Sequence, residues 1–236
     1  MERALRARYP YAHCELDFAN PLQLLVATVL SAQTTDVTVN RVTPTLFARW
    51  PDAQALAGAD RAEMEAVLTP TGFFRAKTES VLRLAADLVE RFDGQVPGRL
   101  KDLVTLHGVG RKTANVVLGN AFDVPGLTVD THFGRLVGRF GWTDETDPVK
   151  VEHAIGALFP KRDWTQLSHE VIFHGRRTCH AKRPACGACP VAQWCPSYGI
   201  GETDPVKARA LLKYELAPGA DLPDPPPGPL PDEVGR

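Results

Sequence analysis

Four cysteines, Cys179, Cys186, Cys189 and Cys195, fall within seventeen consecutive residues of this 236-residue chain. All four thiols therefore come from one compact loop. The remaining cysteine, Cys14, stands alone, and the opening MERALRARYPYAHC lacks the apolar stretch of a secretory signal. A clustered four in that setting points to metal rather than to disulfides. Structural zinc usually uses two short pairs, whereas the 6-2-5 spacing here holds only one. Four thiolates suit zinc and iron–sulfur alike, and spacing alone leaves the choice open. Arg176, Arg177, Lys182 and Arg183 crowd the first ligands. They read either as a phosphate clamp or as countercharges to the thiolates.

The rest of the chain reads as helix, with no convincing strand. Leu22, Leu25, Val26, Val29 and Leu30 share one helical face, and so do Val81, Leu84, Ala85, Leu88 and Phe92. Further stripes are Ala114, Val117, Leu118 and Ala121, then Leu136, Val137 and Phe140, then Val151, Ile155, Leu158 and Phe159. Asp60, Asp147, Asp163 and Asp204 sit where helix caps are expected. The most apolar stretch, LQLLVATVL, is nine residues with two polar members, too short for a membrane span, which needs about 20, so a cytoplasmic protein is expected, at the nucleoid if the source is bacterial. Residues 217–236 hold four carboxylates against one arginine and are rich in proline, so they are expected to be disordered. Their net of −3 turns a formal total of −1 into +2 for residues 1–216. Local arrangement rather than total charge must then bind any phosphate.

Two segments carry the chemistry. Leu106-His107-Gly108-Val109-Gly110-Arg111-Lys112 joins two helical stripes, and its alternating glycines allow a tight turn and close approach of another molecule. The helix that follows begins with outward N–H groups, an anion site that suits a DNA phosphate; a plain helix–helix turn is the alternative. Lys112 sits in the first turn of that helix, where the macrodipole disfavours a cation, and a neutral amine is what a nucleophile needs. A phosphate-binding lysine beside Arg111 is the other reading. The second segment is Val129-Asp130-Thr131-His132, in which Asp130 either caps the next helix or serves as a general base or charge stabiliser. The helix from Lys112 runs out by about 15 Å, and the linker 123–129 can span about 23–25 Å, long enough to bring Asp130 back to the hairpin.

Taken together, residues 5–200 resemble the endonuclease III family of helix-hairpin-helix glycosylases. LHGVGRKTANVVLGNAF is similar to that family's hairpin and catalytic-lysine helix, and TVDTHFGRLVGR to its catalytic-aspartate segment. FHGRRTCHAKRPACGACPVAQWC is similar to its cluster loop, and LLVATVLSAQTTDVTVN to an early DNA-contact segment. The resemblance implies an all-α, two-domain fold with a cleft between the domains. A six-helix domain would span residues 21–127, and residues 1–20 plus 128–216 would form the cluster domain. It also implies a [4Fe-4S] cluster on the four cysteines rather than zinc, with Lys112 and Asp130 facing each other across the cleft. Expected DNA contacts are Gln33, Asp36, Phe73, Gly108, Gly110, His132, Arg176, Lys182 and Arg183. Phe73 and Gln33 would fill the space left by an extruded nucleotide, with core packing or a helix-end hydrogen bond as their alternatives. Asp36 would either face the orphaned base or cap its own helix. The chain departs from the family at His107, where proline is usual. It departs again at Gly72-Phe73-Phe74-Arg75, where Leu-Tyr-Asn commonly follows the glycine, so its wedge is bulkier and more cationic.

The expected activity is that of a bifunctional DNA glycosylase and abasic-site lyase, excising oxidised pyrimidines from damaged duplex DNA as a monomer. Alternatives are an adenine, mismatch or pyrimidine-dimer glycosylase of the same superfamily. From a different class, the alternative is a non-catalytic iron–sulfur protein that binds DNA.

Overall fold

The computed structural model describes residues 1–213, and every regular element among them is helical. In chain order these are α1 (Glu2–Arg8), α2 (Pro21–Leu30), α3 (Asp36–Arg49), α4 (Ala53–Ala57), α5 (Arg61–Leu68) and α6 (Phe74–Phe92). Then come α7 (Leu100–Leu103), α8 (Arg111–Ala121), α9 (Thr131–Arg139), α10 (Pro148–Leu158), α11 (Trp164–Arg177) and α12 (Pro205–Arg209). The all-α class is thus the one expected. The proline-rich tail expected at 217–236 lies outside the described residues. No helix among those described is long and apolar enough to cross a membrane.

The chain divides into two compact units, Cys14–Gly126 and Met1–His13 with Leu127–Arg236. The first holds α2 to α8, seven helices against the six that the resemblance implies. It also starts earlier than residue 21, because Leu16 and Phe18 pack into its core. Every residue of α2 from Leu24 to Leu30 is buried; a helix apolar on all sides belongs at the centre of a bundle. α6, the longest helix, presents the stripe Val81, Leu84, Ala85 and Leu88 to that core.

The second unit packs Leu5 of α1 and Tyr9 just after it against Phe133, Leu136 and Val137 of α9, Val151 and Ile155 of α10, and Leu167, Val171 and Phe173 of α11. Of the stripe expected on α10, Leu158 is 56% exposed, while Phe159, just beyond the helix, packs against the core. Asp60, Asp147 and Asp204 cap their helices as expected, accepting from Glu63, Val149 and Lys150, and Lys207 N–H groups at 2.8–3.1 Å. Asp163 makes no such cap bond. Its carboxylate instead faces Arg6 at 3.4 Å, a charged partner that competes with the helix N–H groups for the same oxygen.

Candidate active site and cysteine loop

The hairpin segment turns as its glycines suggest, but the two glycines do different work. Gly108 takes φ +73°, the left-handed region in which a side chain is strained. Gly110 sits at φ −85° and is the N-cap of α8. It needs no unusual backbone, and a Cβ there would meet nothing within 4 Å, so this face is open to a visitor. No side chain caps α8, in contrast to α2, α3, α4 and α5. Val109 and Leu106 anchor the turn in the core. The His107 departure has a structural counterpart: its N–H donates to Asp87 Oδ2 at 2.7 Å, a bond that proline could not make. Lys112 is exposed in the first turn of α8.

Asp130 is the N-cap of α9, where Oδ1 accepts from the Phe133 N–H at 2.7 Å. The cap occupies one carboxylate oxygen, so capping and chemistry do not compete for the same atom. His132 follows in the first turn, 3.3 Å from Arg135 Nη2 and packed on Gly175, where even a Cβ would come within 2.9 Å of it. Burial lowers the His132 pKa, and the charge of Asp130 partly opposes this.

Three further expected DNA contacts, Gln33, Phe73 and Asp36, lie in the first unit. Gln33 is exposed at φ +54°, in the loop between α2 and α3. Phe73 is 68% exposed at φ +47°. A large apolar ring held outward on a left-handed backbone carries both strain and exposed hydrocarbon, so core packing does not explain it. Its neighbour Phe74 turns the other way and packs against the core. Asp36 is not the cap of its own helix. Thr35 holds that place, accepting from the Thr38 N–H at 3.3 Å, and Asp36 lies in the first turn.

The four cysteines line a single cavity together with Arg139, Phe140, His174 and Tyr198. Burial pushes the thiol pKa values of Cys189, Cys179 and Cys195 upward, and their neighbouring sulfurs add to this. Four sulfurs around one cavity suit a soft-metal centre, zinc or iron–sulfur alike.

The four cations that neighbour the cysteines in sequence are placed differently from one another. Arg177 is buried, with its guanidinium 3.8 Å from the Phe173 ring centre, and Arg183 faces Glu202 at 3.4 Å. Lys182 is exposed and Arg176 half-buried. The arginines that reach the cysteine loop come instead from α9. Arg139 donates to Cys179 Sγ at 3.1 Å and to the carbonyls of His180 and Ala181, both at 2.8 Å. Arg135 donates to the carbonyls of Gly175 and Cys179. Their i, i+4 spacing in THFGRLVGR, which puts both on one helical face, was the available signal. A second missed feature has no pattern to betray it. His174, fully buried, lies 3.0 Å from Tyr9 Oη through Nδ1 and 3.5 Å from Cys189 Sγ through Nε2. Burial pushes its pKa down to about 3, so the ring is neutral and one nitrogen can donate while the other accepts.

Replacing Cys189 by Ser should bleach the visible iron–sulfur absorbance and unfold the second unit. Metal-linked folding reaches about 10 kcal/mol in small cysteine sites, against a total stability of about 5–15 kcal/mol for a domain. Iron analysis and circular dichroism check this; a colourless native protein with one stoichiometric zinc contradicts it.

Residues 26–161 match the HhH-GPD superfamily base excision DNA repair protein family, and residues 179–195, from first cysteine to last, match the iron–sulfur binding domain of endonuclease III. The cofactor is thus an iron–sulfur cluster of the endonuclease III type, [4Fe-4S]. Endonuclease III of Synechocystis sp. is 52% identical over 194 residues, covering 82% of this chain and 89% of that one. Two solved structures, a non-covalent endonuclease III–DNA complex and a trapped endonuclease III–DNA covalent intermediate, are each 38% identical. Each superposes with a TM-score of 0.80 over 83% of this chain and 92% of the other. With a family match over more than half its length and such relatives, the chain belongs to the endonuclease III family of base excision DNA repair proteins.

Proposed function

We propose that this DNA glycosylase and abasic-site lyase excises oxidised pyrimidines from damaged duplex DNA, acting as a monomer with Lys112 as nucleophile and Asp130 as the catalytic carboxylate. The observation that carries this reading is Lys112 itself, an exposed amine in the first turn of an uncapped helix behind an open glycine turn. A relative whose covalent DNA intermediate has been trapped supports a nucleophile of this kind.

The chemistry follows from an amine nucleophile. Lys112 Nζ attacks the sugar C1′ while the bond to the damaged base breaks, and the base leaves with the electron pair and a proton. Loss of the amine proton and opening of the ring give an iminium at C1′. This acidifies the C2′ proton, whose removal expels the 3′-phosphate oxygen and cuts the strand. Asp130 would stabilise positive charge on the sugar or accept the lysine proton. Extrusion of the nucleotide precedes this and costs a few kcal/mol, which Phe73 and Gln33 would offset by filling the gap.

Cys179, Cys186, Cys189 and Cys195 would ligate the cluster, whose contribution when bound is to tie four points of one loop together. Lys182, Arg176 and Arg183 would meet phosphates, Arg183 only by sharing its charge with Glu202. Duplexes carrying single defined lesions test the whole reading: nicking should occur at oxidised pyrimidines and at abasic sites. Nicking at abasic sites alone, or at mispaired adenine, overturns it.

Gly110→Ala isolates the hairpin's phosphate contact. Because φ is ordinary and the space is open, folding stability should fall by no more than about 1 kcal/mol, the cost of alanine at an N-cap. Binding should weaken by a similar factor for every duplex, and the salt slope should lose about 0.9 in magnitude for one phosphate contact. Salt-dependent binding titrations check this, and a loss confined to one sequence contradicts it.

A further inference from the structure

Lys77, on the second turn of α6, is a lysine in a place where hydrocarbon would be cheaper. It is only 5% exposed, and burial pulls its pKa below the usual lysine value. Its Nζ donates to Thr34 Oγ1 at 2.5 Å and to the Thr71 carbonyl at 2.7 Å. The Thr34 hydroxyl in turn donates to that same carbonyl. Three groups from three segments thus close one small ring of hydrogen bonds: the α2–α3 loop, the turn before α6, and α6 itself.

The two segments so joined are the strained ones. Gln33 precedes Thr34, and Gly72 and Phe73 follow Thr71; all three take positive φ, at 54°, 65° and 47°. Of the four non-glycine residues with positive φ among those described, two are here, and they are the two proposed to enter the duplex. Strained backbone persists only where its surroundings over-determine it. The exposed side chains of Gln33 and Phe73 make no such framework, whereas the buried ammonium beneath them does.

We propose that Lys77 is a positioning residue for nucleotide extrusion: it locks the Gln33 loop to the Phe73 turn, so that both side chains enter the duplex as one preset pair. The inference rests on the reading of Gln33 and Phe73 given above. Preset geometry matters most when the lesion is well paired and stacked, because insertion must then compete with the intact duplex.

The test is single-turnover excision by the intact holoprotein and by Lys77→Met, which keeps the volume and removes the donors. The probe is one thymine glycol, placed opposite adenine or opposite an abasic analogue that lacks the C1′ hydroxyl and so cannot form a Schiff base. K77M should slow excision from the paired duplex about tenfold, equivalent to ~1.4 kcal/mol, and from the unpaired one by less than about threefold. The Phe73→Ala change should add little in the K77M background, since both act on one insertion step. A merely structural lysine would lower both rates equally, and that outcome, or no deficit on the paired duplex, overturns the proposal. If K77M fails to fold, Thr34→Val carries the same two outcomes, with Thr34→Ser restoring the parent rate. A parent protein inactive on every oxidised pyrimidine removes the functional reading and this proposal with it. Parent activity without a paired-lesion deficit in the variants removes this proposal alone.

Discussion

Replacing Lys112 by Gln is expected to abolish the covalent protein–DNA adduct that borohydride traps, and to slow base excision by at least about 10²–10⁴. The stability of the protein should move the other way. Lys112 is exposed in the first turn of α8, where a cation opposes the helix dipole; its removal should gain about 0.3–1 kcal/mol, and glutamine is nearly as good a helix former as lysine. A variant that is slightly more stable and chemically dead separates function from folding, because no loss of structure can account for the lost rate. Thermal melting followed at the cluster absorbance and borohydride trapping on an abasic duplex read the two effects. A trapped adduct in K112Q would assign the nucleophile to another residue.

How much of this was legible without coordinates differs from residue to residue. The all-α class could be read because apolar stripes such as Val81, Leu84, Ala85 and Leu88 repeat at the helical period, and those residues are the buried face of α6. Asp60, Asp147 and Asp204 could be read because an N-cap is a local device: its acceptor and its donors lie within three residues. Asp163 misled for the converse reason. Its partner, Arg6, is more than 150 residues away, and no local pattern reports that. The same limit hid Lys77 and His174, whose significance lies wholly in burial and in contacts brought by distant segments. The charges of Arg176, Arg177, Lys182 and Arg183 near the cysteines were visible along the chain, whereas the contacts that Arg135 and Arg139 bring to the loop from another helix were not. The glycine pair was legible as a turn, yet only the backbone angles separate Gly108, which needs glycine for its φ, from Gly110, whose φ is ordinary and whose face is open.

Asp130 poses the sharper question, because a cap and a catalytic group are both plausible fates for an aspartate at a helix start. The two roles make different demands on the side chain, and a pair of substitutions tells them apart. Asparagine caps a helix as well as aspartate does, whereas alanine costs about 0.5–2 kcal/mol. Asp130→Asn should therefore keep the bond from the Phe133 N–H and the parent melting temperature, while Asp130→Ala should melt several degrees lower. If the carboxylate does chemistry, the charge is what counts, and both variants should lose about 10²–10⁴ in single-turnover excision. Both should still bind lesion duplex, since the expected phosphate contacts lie on other residues. Rate loss would then be independent of stability loss across the pair. If Asp130 only caps α9, the rates should instead follow the melting temperatures, with Asp130→Asn close to the parent. An active Asp130→Asn protein would remove Asp130 from the mechanism while leaving Lys112 in place.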